Sequence, residues 1–271
     1  MRAEARHRLA ALAALVAIGA PAFLVGGRYW VGTVSVGEAV ARFRAAGPAA
    51  TSTGAGSTGA GPGAGGAAGS TGGAGLPEPG VYRYRTTGGE HVSLFDYSRR
   101  YPSTTVRIIT RRGCGVREEQ WFLVQHLEYY DRCGPALPSY GTDIAYWWTH
   151  GTQSFTCGPG SFDGADLAPG RSSTWECRDE DTRAAQTVLY VGDETVVVAG
   201  RSMPARHTRW TTAFSGATVG GALVDDWFDP ATGLVLREER HIGLKVGSPF
   251  VGHLTYADNS TYELLSTTPD R

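Results

Sequence analysis

The chain has 271 residues, 38 of them glycine, and 25 Lys plus Arg against 26 Asp plus Glu give a formal net charge of −1. Near-neutrality removes any general electrostatic reason to bind nucleic acid or an anionic membrane surface. The glycine content takes material away from any core, so one folded domain is expected. Lys245 is the sole lysine, a skew that GC-rich coding explains more simply than arginine-specific chemistry and that points to a GC-rich bacterial source.

Arg2, Arg6 and Arg8 precede an uncharged run from Leu9 to Gly27, 19 residues long, and about 20 apolar residues span a bilayer. Residues 1–8 then read as a basic cytoplasmic tip and 9–27 as a transmembrane signal anchor, with the rest of the chain extracytoplasmic. The expected address is the cell membrane, single-pass, with the N-terminus inside. The alternative is a secreted domain released by cleavage near Ala22, because Ala20-Pro21-Ala22 has an A-x-A spacing. No cysteine follows the apolar run closely, so a lipidated N-terminus is not supported.

Within residues 28–46, Val36, Ala39, Val40 and Phe43 fall on one helical stripe with Glu38, Arg42 and Arg44 outside it, which predicts a short amphipathic helix that packs on the domain or lies at the membrane surface. Residues 47–76 follow as a linker. From Gly47 to Gly75 it holds only Gly, Ala, Ser, Thr and Pro, too little apolar bulk to offset the entropy of ordering. As a disordered Gly-rich coil it has a typical reach of about 30 Å.

From residue 77 to 271 the signal is period-two alternation. Tyr82 and Tyr84 oppose Arg83 and Arg85, and Gly88-Gly89 reads as a turn into a second strand. Trp121, Leu123, Leu127 and Tyr129 share one face, with Glu118, Gln120 and His126 on the other. Further strand-sized pieces run to the C-terminus, "DPATG" at 229–233 suits a tight turn, and 182–191 is left open between helix and strand. The fold class is mainly β: a single antiparallel, curved, half-barrel-like sheet domain preceded by a transmembrane helix and a disordered linker.

The four cysteines, Cys114, Cys133, Cys157 and Cys177, show no C-x-x-C or C-x-H pairing of the kind zinc sites use. In an exported chain an even count reads as two disulfides. The sequential pairing, Cys114–Cys133 and Cys157–Cys177, is expected because the turn-rich "DGADLAPG" lies midway between the second pair. For the first pair the midpoint near Leu123 and Val124 lacks turn residues. A straight strand between those two sulfurs is still excluded, since about 3.3 Å per residue would hold them tens of ångströms apart.

No G-x-S-x-G, H-E-x-x-H, P-loop or suitably placed G-x-G-x-x-G pattern is present. The pairs Glu118-Glu119 and Asp225-Asp226 read as solvated strand faces, His126, His150, His207, His241 and His253 are scattered, and Tyr146, Trp147 and Trp148 read as packing aromatics. No cofactor or metal is expected, and no enzymatic activity.

The succession "GDETVVVAGRSMPARHTRWTTAFSG" and "DDWFDPATGLVLREER" resembles the strand plus D-P-x-T-G-L hairpin of LolA-like half-barrel envelope proteins, and the chain is also generally similar to exported proteins of GC-rich bacteria. The resemblance implies a curved sheet sheltering an acyl chain. It transfers no catalytic residue, and an anchor helix and cysteines depart from it. The expected function is therefore a membrane-tethered, non-enzymatic envelope domain binding an apolar, lipid-like ligand or an envelope partner, with Trp121, Trp210, Phe214, Trp227 and Leu236 lining the pocket. The alternatives are a structural or sensory ectodomain acting through protein contacts and an envelope hydrolase.

Overall fold

The computed structural model describes residues 32–47, 75–93, 96–146, 149–248 and 252–271. The expected anchor at 9–27, most of the 47–76 linker, and Trp147 and Trp148 lie outside them. Among the described residues no helix is long and apolar enough to cross a membrane.

Helix α1 (Val36–Ala45) starts where Ser35 accepts a hydrogen bond from the Glu38 N–H at 3.2 Å, an N-cap that satisfies one donor of the first turn. Its apolar stripe forms as the spacing predicts. Val36, Val40 and Phe43 pack with buried Ala39 against Val81, Val106, Ile108 and Trp121 of the sheet, so the helix is part of the β domain.

Thirteen strands follow among the described residues: β1 (Gly80–Val92), β2 (Tyr97–Arg100), β3 (Thr104–Arg112), β4 (Gly115–Leu123), β5 (His126–Cys133), β6 (Ala136–Tyr146), β7 (Thr149–Cys157), β8 (Ser172–Arg178), β9 (Thr182–Val198), β10 (Arg201–Gly216), β11 (Thr218–Phe228), β12 (Val235–Ser248) and β13 (Gly252–Leu264). All pair antiparallel, each with its sequence neighbour except that β3 pairs with β1 and not with β2. The 182–191 stretch is strand, the first part of β9.

The sheet is not a half-barrel. β13 pairs with β1 from Tyr84↔Leu264 to Val92↔Tyr256, which closes a twelve-strand antiparallel barrel with β2 as an extra strand on β1. Strand twist of about 20 to 25° per neighbour, expected to curl the sheet, acts here over enough strands to bring its two edges together. Closure also removes the exposed edges that an open sheet would leave.

Two local readings change with it. Gly88-Gly89 is no turn: β1 runs through both. A Cβ at Gly88 would lie 2.1 Å from the Asn259 carbonyl oxygen and one at Gly89 2.1 Å from that of Arg99, so the glycines let β1 lie against β13 and β2 at once. The 118–130 stretch is two strands, because Leu123 pairs with His126 across a turn at Val124-Gln125. The Val124 N–H is held by the Gly32 carbonyl at 2.9 Å. That turn brings Cys114 to Cys133. The "DPATG" turn forms as expected, with the Asp229 carboxylate accepting from the Ala231 N–H and the Thr232 hydroxyl, and Gly233 at φ 64°.

A barrel of about eight strands is filled by its own side chains, and more strands leave a wider interior. Here long side chains fill it, together with the β7–β8 loop, whose Ser161, Phe162 and Asp163 are 1 %, 6 % and 0 % exposed. Outward-facing positions include the ion-paired Arg85–Glu263 and Arg209–Asp225, so these strands face water rather than lipid.

Candidate functional site

Strand alternation places Glu90 of β1, Arg107 of β3, Glu118 of β4, His126, Glu128 and Arg132 of β5, Glu238 and Arg240 of β12 and Asp258 of β13 on the inner face. All but Asp258 are links in one continuous chain of ion pairs. Arg99 of β2 contacts Glu90, Glu90 lies 2.9 Å from His126 Nδ1, and His126 Nε2 lies 3.6 Å from Glu128. Glu128 receives Arg240 at 2.6 Å, Arg240 lies 3.5 Å from Glu238, and Glu238 receives Arg107 at 2.8 Å. Arg107 reaches Glu118 at 3.3 Å, and Arg132 bridges Glu118 at 2.7 Å to Asp163 of the inserted loop at 3.0 Å. The chain runs from β1 and β2 to the loop that enters the barrel.

Seven carboxyls (Glu90, Glu118, Glu128, Asp163, Asp226, Glu238, Asp258) thus face five cations (Arg99, Arg107, His126, Arg132, Arg240) in the interior. Asp226 and Asp258, which are not links in the chain, are pushed above the ordinary carboxylate range: Asp226 well above it by burial and then by Glu238, Asp258 by burial. Burial disfavours a charge, and partners of opposite charge favour it. Burial pushes Glu90 up, but His126 and Arg99 bring it down to about 2. Burial pushes His126 down, but Glu90 and Glu128 hold it up at about 9.

This sets a pH dependence. The folded pKa of His126 lies above its ordinary value of 6.5, so its contribution to stability is complete below pH 6.5 and is lost as pH rises through about 9. The full amplitude is about 3 kcal/mol. Urea unfolding of wild type and His126→Gln between pH 6.5 and 9 checks it: wild type should lose more stability across this window. Equal losses in the two proteins would show that His126 carries no such linkage.

The carboxylate doublets are not solvated faces. Successive side chains point to opposite sides of a strand, so Glu118 and Asp226 lie inside, at 1 % and 6 % exposure, while Glu119 and Asp225 face outward. The histidines stay apart. His126 is sealed inside, His207 lies between Glu194 and Asp225 at 2.7 Å each, His150 pairs with Asp143, and His241 lies 3.0 Å from Asn259. No group of metal-ligating side chains is assembled among the described residues.

The five residues expected to line one pocket are dispersed. Trp121 lies on the outside under α1, with the Arg42 guanidinium 4.1 Å from its ring. Trp210 is inside, edge-to-face with Phe162 at 4.8 Å and Trp175 at 5.5 Å. Phe214 meets Phe155 at 6.1 Å. Only Trp227 and Leu236 come together, at an outer cleft of about 270 Å³ with Glu194, Val196, Val197 and Arg237. β-Bulges at His207/Thr208 and Trp227/Phe228 shape this region. Both faces of the Trp227 ring are occupied, by His207 stacked at 4.3 Å and by Arg237 at 5.0 Å, and its N–H donates to Glu194 at 2.8 Å. That hydrogen bond, followed by the one from His207, holds the Glu194 carboxyl below its usual range.

Both expected disulfides are present: Cys114–Cys133, and Cys157–Cys177 between β7 and β8, with no free cysteine among the described residues.

No family model matches the chain, and no curated protein matches it in sequence. Among solved structures it is similar to the crystal structure of the hypothetical lipoprotein YmcC from Escherichia coli (K12), at 10 % identity and a TM-score of 0.31, covering 71 % of this chain and 87 % of that one. The resemblance to LolA-like half-barrels is not confirmed by this likeness.

Proposed function

We propose that this chain is an exported, non-enzymatic ectodomain, held near a membrane by its N-terminal segment and acting through contacts on its outer surface. The observation that carries the reading is the ion-paired interior. Ligand pockets typically measure about 300–1,000 Å³ and are mostly apolar, whereas the cavity inside this barrel is about 50 Å³ and is bordered by Arg107, Asp226, Glu238 and Arg240. An acyl chain would have to displace buried charged groups, among which Glu238 is paired with both Arg107 and Arg240. Export is supported by two disulfides, which persist outside the cytoplasm, and by the basic-then-apolar N-terminus.

A second reading, a small apolar ligand bound on the outside, is favoured by the meeting of Trp227 and Leu236 at the outer cleft. Titrating residues 32–271 with a fluorescent fatty-acyl probe separates the two. The expected result is no saturable binding. Saturable binding abolished by Val197→Asp, a change at a cleft residue that is 67 % exposed, would replace the contact reading with the ligand reading.

A further inference from the structure

The small cavity inside the barrel is bounded by the inserted loop and the inner faces of β10, β11 and β12. Its apolar wall is Phe162, Val224 and Val235, and its polar wall includes Trp210, Asp226 and Arg240. These three side chains belong to residues 8 %, 6 % and 3 % exposed. Each carries a buried polar atom with no hydrogen-bond partner among the described residues: Trp210 Nε1, Asp226 Oδ1 and Arg240 Nε. The Arg240 Nε has only Asp258 Oδ2 nearby, at 3.8 Å. Leaving one buried donor or acceptor unsatisfied costs about 1–3 kcal/mol. Three around one small space point to a guest that supplies hydrogen bonds.

The volume decides its size. A buried water needs about 10–15 Å³ of such space, so a cavity of about 50 Å³ takes a few waters and falls well short of the about 300–1,000 Å³ of a ligand pocket. The chemistry agrees with that size: two of the unsatisfied groups are N–H donors and one is a carboxyl oxygen, and a single water both accepts and donates. A purely apolar cavity would stay dry, but this one offers the two or more polar partners that a buried water needs.

We propose that this cavity is an internal hydration site, in which a few long-lived water molecules accept from the Trp210 and Arg240 N–H groups and hydrogen-bond to Asp226. The groups around the carboxyl fit such a guest. Asp226 is a ladder partner of Glu238 on β12 and of Thr208 on β10. Arg107 of β3 and Arg240 of β12 border the same cavity. Thr208 Oγ1 is likewise buried without a partner. Burial beside Glu238 pushes the Asp226 carboxyl up, and a carboxylic acid can donate to water as well as accept from it. The site lies between the ion-paired half of the interior and the aromatic cluster of Phe162, Trp175 and Trp210.

Water relaxation dispersion on the full-length folded chain counts such long-lived waters, and Val224→Phe fills the cavity from its apolar wall. The expected result is a loss of long-lived waters in the variant. An unchanged count in a Val224→Phe protein with native near-UV circular dichroism would overturn the proposal. If that substitution prevents folding, Trp210→Phe keeps an aromatic ring and removes one donor. It should then lose at least one long-lived water, and an unchanged count would overturn the proposal equally.

Discussion

Arg132→Ala should cost about 3–5 kcal/mol of stability and free the β7–β8 loop, because it removes a cation from a buried ion-pair network. Arg132 is 2 % exposed. Its Nη1 donates to Glu118 at 2.7 Å and to the Gly233 carbonyl at 2.8 Å, its Nη2 donates to Asp163 at 3.0 Å, and its guanidinium lies 4.8 Å from the Phe162 ring. The alanine variant leaves Asp163 buried without its cation, whereas Glu118 keeps Arg107. The penalty therefore falls on the loop. Denaturant unfolding should give the loss, and limited proteolysis should cut within 158–171 in the variant while sparing wild type. A second variant separates charge from packing: Arg132→Met with Asp163→Asn removes the stranded charge and should recover part of the stability. If the double variant is as unstable as Arg132→Ala, packing and not charge holds the loop.

Strand content, the amphipathic helix and the "DPATG" turn were legible because each depends on spacing over a few residues, and the Cys157–Cys177 pairing because a turn-rich stretch lies midway between the two sulfurs. The closure of the sheet was not. Whether β13 meets β1 depends on how many strands accumulate twist, and two features obscured that number: the turn at Val124-Gln125 contains no Gly or Pro, and the Gly88-Gly89 pair mimics a turn while serving close approach of strands. A residue's parity along a strand was also readable, but not which parity faces inward. Trp121 with Leu127 and Tyr129 looked like the buried face, yet Glu118, Gln120 and His126 are the ones inside, and Trp121 owes its partial burial to α1.

One signal for the polar interior does exist in the sequence. In Arg237-Glu238-Glu239-Arg240 four consecutive residues of a strand are charged, so both faces of β12 carry charge. In a closed sheet one of those faces has to be internal, and Glu238 and Arg240 are the pair that is. The outer cleft lay beyond such reasoning, because the register shifts beside it, which leave Val191 of β9 and Leu236 of β12 unpaired, leave no mark in the spacing of the sequence.

Breaking the two disulfides should have unequal structural consequences despite nearly equal loops. Their sequence separations are 19 and 20 residues, so the chain-entropy model assigns each about 3 kcal/mol. The folded state distinguishes them. Cys114–Cys133 ties β4 to β5, which already share seven ladder pairs, from Val116↔Arg132 to Leu123↔His126. Cys157–Cys177 joins β7 to β8, where only two pairs form, Thr156↔Arg178 and Cys157↔Cys177 itself, while β8 pairs with β9 over seven. The covalent bond therefore sits at the weakest seam of the barrel and flanks the inserted loop. Replacing both members of either pair by serine should lower stability by about 3 kcal/mol. Only Cys157→Ser/Cys177→Ser should also speed native-state amide hydrogen exchange in β7, β8 and the 158–171 loop, because sub-global opening follows the elements with fewest contacts to hold them. Uniform loss of protection in both variants would mean that the disulfides act solely through the unfolded chain and that the two ladder pairs close the seam unaided.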